Sequence, residues 1–189
     1  MKDNCFRPAR KEDCAAIAAL YRISSDGVAD YIWTKLASPG QDILDVGRAR
    51  YEREESIFSY KNCTVVEVDG KIIGMLVAFP MYIDPDNVED DPVLTPYSKL
   101  EEDSSYYICG MALFEGYRGR GYGTALLALA EKQALREGFD KLSLIVFEQN
   151  TGAKRLYERT GYIEVTREPI YIHPLIHYTG DAILMVKHL

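Results

Sequence analysis

A glycine-rich run lies near the middle of the chain, where an extended apolar segment changes into a helix. Residues 106–113 are strand-like, residues 118–123 read RGRGYG, and a Leu- and Ala-rich helical pattern follows to about Arg136. Such a junction collects backbone N–H groups without partners at the positive end of a helix dipole. Glycine allows positive φ and close approach of the main chain to a ligand. The run therefore predicts either a pyrophosphate cradle or a simple tight turn.

The rest of the chain must decide between these two interpretations, because the run matches neither common nucleotide-binding loop. A Walker loop needs Gly-Lys-Ser/Thr, and this run has no lysine. A dinucleotide fingerprint needs a first strand and an acidic residue about twenty positions further on, and the sequence does not complete that unit.

Length and composition indicate a single domain over residues 1–189. The chain is 47% hydrophobic and 27% charged, and it lacks the run of about eighteen apolar residues that suggests a membrane span. Residues 1–5 lack the apolar stretch of a signal peptide, so we expect a cytoplasmic protein. A net charge of −7 argues against nucleic acid or an anionic membrane as the main partner.

The cysteines and histidines show no spacing typical of a metal site, and no CxxC pair is present. We therefore expect no metal, and reduced thiols in the core. The residues concerned are Cys5, Cys14, Cys63, Cys109, His173, His177 and His188.

The start of the chain predicts a short strand over residues 6–9 and three helices. Apolar residues from Cys14 to Tyr21 have the spacing of a first helix. The third helix is predicted over residues 42–55 and should face mostly solvent. The second starts near Asp26, and its apolar stripe is predicted to consist of Val28, Tyr31, Ile32 and Leu36. Trp33 falls at the edge of this stripe, where it either completes the core or walls a substrate pocket.

A hairpin and an acidic segment come next. Asp69-Gly70 between two apolar runs, residues 63–68 and 71–79, predicts antiparallel strands joined by a two-residue turn. Residues 84–103 contain eight acidic residues and one basic residue. Prolines in and before this segment indicate a loop or a broken short helix.

The second half predicts a right-handed parallel strand–helix–strand unit that ends with a strand over residues 141–147. Asn150 and Thr151 should cap a short helix closed by Gly161. Two last strands are predicted over residues 162–167 and 182–187, joined by an irregular segment.

Three motifs in one order resemble the Gcn5-related N-acetyltransferase (GNAT) family. They are Met111-Ala112-Leu113, Arg118-x-x-Gly121-x-Gly123, and Asn150-x-x-Ala153-x-x-Leu156-Tyr157-x-x-x-Gly161-Tyr162. The resemblance is specific between residues 106 and 162. It implies an α/β (α+β) fold: a mixed, mostly antiparallel sheet of six to seven strands with a central parallel pair, and helices on both faces.

The resemblance also implies that acetyl-CoA donates an acetyl group to an amine, which attacks the thioester directly in a ternary complex. The backbone N–H of Met111 would polarise the thioester carbonyl, Leu113 would bind the pantetheine arm, and Tyr157 would act on the departing thiolate. The full set implied to bind acetyl-CoA is Met111, Leu113, Arg118, Gly119, Arg120, Gly121, Tyr122, Gly123, Thr124, Asn150, Ala153 and Tyr157.

Elementary chemistry supports the role of Tyr157. Aminolysis of a thioester expels a thiolate whose conjugate acid, like cysteine, has a pKa near 8.5. A phenol with a pKa near 10 supplies a hydrogen bond or a proton without a metal. The alternative is that Tyr157 only packs its ring.

The acceptor must lose a proton, because an alkyl ammonium has a pKa near 10. Candidate bases, which spacing alone does not separate, are Glu102, Asp103, Tyr106, Tyr107, His173 and His177. Residues proposed to contact the acceptor are Trp33, Tyr106, Tyr107 and His173. Cys109 is expected to be a buried strand cysteine rather than an acyl-carrying nucleophile.

Several alternatives stay open. The acidic segment either attracts a cationic acceptor, such as a polyamine, a lysine side chain or an amino sugar, or is a solvated loop. The chain could instead be a non-catalytic acyl-CoA-binding module, or a protein N-terminal or lysine acetyltransferase. The oligomeric state is also open, with a homodimer among the possibilities.

Overall fold

The computed structural model describes residues 5–189, which form a seven-stranded sheet and six α-helices. The strands are β1 (Phe6–Pro8), β2 (Cys63–Val68), β3 (Lys71–Met81), β4 (Ser105–Leu113), β5 (Lys141–Phe147), β6 (Ile163–Pro169) and β7 (Asp181–His188). The helices are α1 (Cys14–Ser25), α2 (Val28–Leu36), α3 (Ile43–Glu52), α4 (Thr95–Ser98), α5 (Tyr122–Arg136) and α6 (Thr151–Arg159).

The sheet has the order β1-β2-β3-β4-β5-β7-β6. Strands β4 and β5 are parallel, whereas the pairs β1–β2, β2–β3, β5–β7 and β6–β7 are antiparallel. The predicted fold class, a mostly antiparallel sheet with a central parallel pair, is confirmed.

The chain forms two compact units. The first unit combines residues up to Ala78 with Gly110–Gly123, and the second combines Phe79–Cys109 with Thr124–Leu189. Strands β3 and β4 and helix α5 each continue from one unit into the other. That the whole chain acts as one domain stays a prediction.

The hairpin of the first unit is the one predicted from Asp69-Gly70. Val68 pairs with Lys71, and both turn residues have positive φ, 50° at Asp69 and 73° at Gly70. Two consecutive left-handed residues match the right-handed twist of the strands that flank a type I′ turn. The turn therefore fixes the register of β2 on β3.

Helix α2 buries a different face from the predicted stripe. Its buried residues are Ala29, Asp30 and Trp33, whereas Leu36 is 59% exposed. Two left-handed residues, Asp26 with φ 47° and Gly27 with φ 99°, end helix α1 and precede α2. The change of chain direction at these residues sets which face of α2 turns toward the core. Arg22 binds Asp30 at 2.6 Å, which allows a carboxylate on the buried face.

Trp33 is a core residue, only 1% exposed, and its ring lies against Gly47 of α3. Tyr21 lies 6.3 Å from Trp33 and 5.6 Å from Tyr51, measured between ring centroids. Helix α3 therefore has a buried face, formed by Val46, Gly47 and Tyr51. The prediction that α3 would face mostly solvent and reach residue 55 was wrong, because this aromatic cluster requires a partner helix.

The second unit is built on β5, which is buried along most of its length as predicted. Its Ser143 lies 2.7 Å from Ser105 of β4, measured between two buried hydroxyl oxygens. At the far edge of the sheet, β6 is almost entirely exposed. The last two strands lie within about two residues of their predicted positions.

The acidic segment is an irregular chain interrupted by the single turn of α4, as predicted. Its carboxylates accept backbone N–H groups: Asp84 from Asp86, Glu89 from Asp91, Asp91 from Val93, and Asp103 from Ile83. The backbone N–H groups of an irregular segment have no neighbouring strand to bind. Acidic side chains stabilise its turns by accepting these N–H groups. Part of the negative charge thus has a structural role.

A search of residues 5–189 finds no helix with the length and apolar character of a membrane span. All four cysteines are free thiols, as expected from their spacing. Cys14 and Cys63 are buried, whereas Cys5 and Cys109 are partly exposed, so the expectation that all would lie in the core was wrong for two of them.

We predict that Gly47→Ala destabilises the protein. A Cβ at this position would lie 2.5–2.8 Å from three atoms of the Trp33 ring. Alanine gains up to about 1 kcal/mol of helix propensity, but overpacking typically costs about 1–3 kcal/mol. Thermal unfolding should show a lower Tm for Gly47→Ala.

The matched control is Gly152→Ala in α6, where an added Cβ has no atom within 4 Å. This variant should be as stable as the parent or more stable. A Gly47→Ala variant as stable as Gly152→Ala would contradict the close packing of Trp33 on α3.

Candidate active site

Strand β4 has one buried face and one half-buried face. The half-buried face consists of Tyr107, Cys109, Met111 and Leu113. Parallel pairing with β5 runs from Tyr106 to Ile108, so the half of β4 that carries Met111 and Leu113 lies beyond the parallel register. This half of the strand presents the partly exposed residues Met111 and Leu113.

Close packing within the first unit fixes the backbone at this end of β4. A Cβ on Gly110 would lie 3.0 Å from the ring of Tyr21 and from Oγ of Ser24. A Cβ on Gly74 would lie 2.5 Å from Cδ2 of Leu113 and 3.0 Å from the Ala112 carbonyl oxygen. Both glycines let neighbouring elements approach β4 more closely than any other residue would allow.

The turn that follows β4 has the geometry of an anion-binding loop. A short 3₁₀ turn, Glu115–Tyr117, leads into Arg118–Gly121, and α5 begins at Tyr122. Gly119 and Gly121 have positive φ of 71° and 85°. In the described part of the chain, the N–H groups of Gly119, Arg120 and Gly121 donate to no protein acceptor.

Two arginines flank these N–H groups on an exposed surface. Arg118 donates from Nε to the Leu113 carbonyl at 3.1 Å, and Arg120 lies over the Tyr117 ring at 5.6 Å. The Leu113 carbonyl therefore already accepts one hydrogen bond. Unpartnered N–H groups, a helix N-terminus and two guanidinium groups together favour a multiply charged anion.

In the second unit, Asn150 precedes helix α6 and Tyr157 lies within it. Asn150 is the N-cap, and its Oδ1 accepts the N–H of Ala153 at 3.2 Å, as predicted. The cap uses only the side-chain oxygen, so the amide NH₂ can donate elsewhere. Tyr157 is 8% exposed, and burial raises its pKa to about 12. Its hydroxyl is thus a proton or hydrogen-bond donor at all physiological pH values.

A second buried tyrosine lies beside Tyr157. The ring centroids of Tyr157 and Tyr162 are 5.8 Å apart. Among residues 5–189 the Tyr162 hydroxyl has no hydrogen-bond partner, although it is buried. Burial, together with the nearby Glu131, raises the pKa of Tyr162. Because the two rings have similar surroundings, Tyr162 is a natural control for Tyr157.

The residues proposed to contact the acceptor have different environments. Trp33 is buried against α3, and the Tyr106 hydroxyl donates to Glu137 at 3.3 Å. His173 is half-buried, and its Nδ1 accepts the N–H of Leu175. Tyr107 is partly exposed and packs 5.8 Å from Phe79. Contact of any of them with an acceptor stays a prediction.

The candidate bases near the start of β4 are mostly engaged. Glu102 forms an ion pair with Lys141. Asp103 accepts the N–H of Ile83, which lowers its pKa. Burial raises the pKa of Tyr106, and likewise that of Tyr107, so both phenols stay protonated near neutral pH.

Sequence reasoning missed Glu101, the residue immediately before these candidates. It is half-buried, and within residues 5–189 its carboxylate forms no hydrogen bond or ion pair. Burial and then the charge of Glu89 raise its pKa. Its sequence position after the α4 turn was the only available signal, because burial cannot be read from the acidic run itself.

Cys109 is partly exposed on the half-buried face of β4, which corrects the expectation of a buried thiol. By contrast, burial raises the pKa of Cys14 to about 11 and keeps that thiol protonated. Among residues 5–189, no group of three or more His, Cys, Asp or Glu side chains could hold a metal ion.

Comparison with known proteins identifies the family. The model of the acetyltransferase (GNAT) family matches residues 30–162. An uncharacterised N-acetyltransferase of Bacillus subtilis (strain 168), YycN, is 45% identical over 58 residues, which are 31% of this chain and 37% of that protein. The L-ornithine N5-acetyltransferase NATA1 of Arabidopsis thaliana is 31% identical over 93 residues, which are 49% of this chain and 39% of that protein.

The chain spans about two fifths of the length of these curated relatives. Among solved structures, an N-acetyltransferase from Staphylococcus aureus Mu50 has a TM-score of 0.67 at 20% identity, and the match covers 96% of this chain and 98% of that chain. At this identity the likeness shows the fold, and it agrees with the fold class predicted from the sequence.

We predict that Gly121→Ala weakens binding of coenzyme A about tenfold. The left-handed φ of 85° at Gly121 costs alanine about 1–2 kcal/mol, so the turn would change shape. Titration calorimetry with coenzyme A measures this effect, because the pyrophosphate is the anion expected at the turn.

Gly116→Ala is the matched control from the same turn. A Cβ at Gly116 meets no atom within 4 Å, and its φ is not positive. This variant should bind coenzyme A like the parent protein. Equal affinities of Gly121→Ala and the parent would rule out the turn as the pyrophosphate site.

Proposed function

Because the chain belongs to the acetyltransferase (GNAT) family, we propose that it is an N-acetyltransferase that moves an acetyl group from acetyl-CoA to a primary amine. The observation that carries the proposal is the turn at Arg118–Gly121, which joins positive-φ glycines, unpartnered N–H groups and two arginines. Such a turn fits the pyrophosphate of coenzyme A.

Strand β4 would hold the rest of the donor. The N–H of Met111 would donate to the thioester carbonyl and to the oxyanion that forms when the amine attacks. One well-placed donor of this kind is typically worth about 3 kcal/mol in the transition state. Support for this role comes from the packing of Gly110 and Leu113, because a donor stabilises an oxyanion only if its backbone does not move.

Tyr157 would donate a hydrogen bond to the departing sulfur. Complete proton transfer from a phenol of pKa about 12 to a thiolate whose thiol has a pKa near 8.5 would be uphill by about 5 kcal/mol. A hydrogen bond avoids this cost and still stabilises the negative charge that develops on sulfur. We therefore favour hydrogen-bond donation over full protonation before coenzyme A leaves the site.

The acceptor would be a small cationic amine. Support comes from the net charge of −7, from the acidic residues 84–103, and from the relative whose name specifies L-ornithine as its acceptor. An acidic surface attracts an ammonium group and raises its local concentration. A peptide amine is the alternative, and an acceptor panel separates the two.

We predict that Tyr157→Phe lowers kcat about 10–100-fold while binding of coenzyme A changes little. The substitution removes only the hydroxyl, and the interaction with sulfur strengthens as the thiolate forms. Release of free thiol from acetyl-CoA measures the rate, with L-ornithine, L-lysine, a linear diamine, an amino sugar and an alanine-starting peptide as acceptors.

Tyr162→Phe is the control, since it removes a buried hydroxyl that has no partner among the described residues. It should keep full activity and be at least as stable as the parent. Equal kcat in Tyr157→Phe and the parent would remove Tyr157 from the mechanism. Coenzyme A binding without turnover of any panel amine would instead indicate a non-catalytic binding module.

A further inference from the structure

We propose that Gly110 is a positioning residue: the end of helix α1 packs directly on its backbone and so fixes the N–H of Met111 against the thioester carbonyl. This inference rests on the proposed function, in which that N–H is the donor to the carbonyl. The carbonyl carbon of Gly110 is bonded to the nitrogen of Met111 in one planar peptide unit, so a shift of Gly110 moves the donor with it.

Helix α1 occupies the space that a side chain at position 110 would need. A Cβ on Gly110 would lie 3.0 Å from Oγ of Ser24 and 3.0 Å from two ring carbons of Tyr21, Cδ2 and Cε2. Both residues belong to the C-terminal part of α1, which ends at Ser25. Non-bonded carbon atoms prefer a separation of about 3.5–4.0 Å, so an alanine here would push β4 and α1 apart by a few tenths of an ångström.

The end of α1 is held in place by contacts of its own. The Ser24 hydroxyl donates to the Tyr21 carbonyl at 2.9 Å. The ring centroid of Tyr21 lies 6.3 Å from that of Trp33, 5.6 Å from Tyr51 and 6.4 Å from Phe58. Because closely packed interiors transmit strain rather than absorb it, much of the displacement would fall on β4.

A second close contact restrains β4 just beyond Met111. A Cβ on Gly74 of β3 would lie 3.0 Å from the Ala112 carbonyl oxygen and 2.5 Å from Cδ2 of Leu113. Met111 therefore lies between two positions at which a glycine allows a neighbouring element to touch β4. The contact at Gly110 is the closer of the two along the chain, since this residue shares a peptide bond with Met111.

The position of this N–H matters because hydrogen bonds depend on geometry. A donor to an oxyanion is effective at about 2.7–3.1 Å from the oxygen that carries the developing charge. Its contribution is largest in the transition state, so a misplaced donor lowers kcat. Coenzyme A lacks the acetyl carbonyl, and its affinity should therefore not depend on this N–H.

The test measures the infrared stretching frequency of the isotope-labelled acetyl carbonyl of acetyl-CoA bound to the protein without amine. A hydrogen bond to a carbonyl oxygen lowers this frequency. The parent should show the lowered frequency, and Gly110→Ala should return toward the value of free acetyl-CoA. Gly116→Ala, whose Cβ would meet no atom within 4 Å, should behave like the parent. Calorimetry with coenzyme A should give the same affinity for all three proteins.

Turnover supplies the second measurement. Gly110→Ala should lower kcat about tenfold with the panel amine that the parent acetylates, because a misplacement of about 1 Å can cost about 100-fold. Tyr21→Leu decides the question if Gly110→Ala does not fold, since it removes the ring that packs on Gly110 and adds no atom to β4. This variant should lower kcat about threefold and raise the carbonyl frequency part of the way.

The outcomes are distinct. A folded Gly110→Ala protein, or in its place Tyr21→Leu, with the carbonyl frequency of the parent would overturn the positioning role, even if kcat fell. A parent protein that binds acetyl-CoA without lowering the frequency would overturn the role of Met111 and this inference with it. A parent that lowers the frequency but acetylates no panel amine would overturn the proposed function alone, because the infrared comparison still decides the role of Gly110.

Discussion

The short parallel register between β4 and β5 is the constraint on which the rest of the site depends. The two strands pair from Tyr106 to Ile108, and the buried Ser105–Ser143 contact holds them at the start of that register. The pairs β1–β2, β2–β3, β5–β7 and β6–β7 are antiparallel, so the hydrogen-bonding pattern of the sheet changes at β4–β5. Beyond Ile108, β4 continues with the residues that we assign to the thioester and to pantetheine.

The same strand carries the groups proposed to bind the acetyl donor. Its half-buried face starts at Tyr107 and continues through Cys109 to Met111 and Leu113. The turn after Leu113 then supplies the unpartnered N–H groups. One strand and one turn thus carry the groups proposed to bind the thioester carbonyl, the pantetheine arm and the pyrophosphate, in that order along the chain.

Local chemistry and the burial of the strongly apolar strand β5 could be predicted from the sequence, whereas the burial of mixed helical faces and of acidic residues could not. The Asp69-Gly70 hairpin, the turn at Gly119 and Gly121 and the Asn150 cap depend on properties of a few adjacent residues, and all were found as expected. The buried face of α2 was misplaced, because the left-handed junction at Asp26 sets the rotation of that helix. The half-buried position of Glu101 was equally out of reach, because an acidic run by itself gives no signal of which carboxylate is buried.

The central claim is that the amine attacks acetyl-CoA directly, without an acyl-enzyme. The most direct test measures initial rates over a grid of acetyl-CoA and amine concentrations, with mass spectrometry of the protein after acetyl-CoA alone. Direct transfer predicts intersecting lines in double-reciprocal plots and an unmodified protein. Parallel lines, with an acetyl group on Cys109 that a later addition of amine removes, would contradict the account.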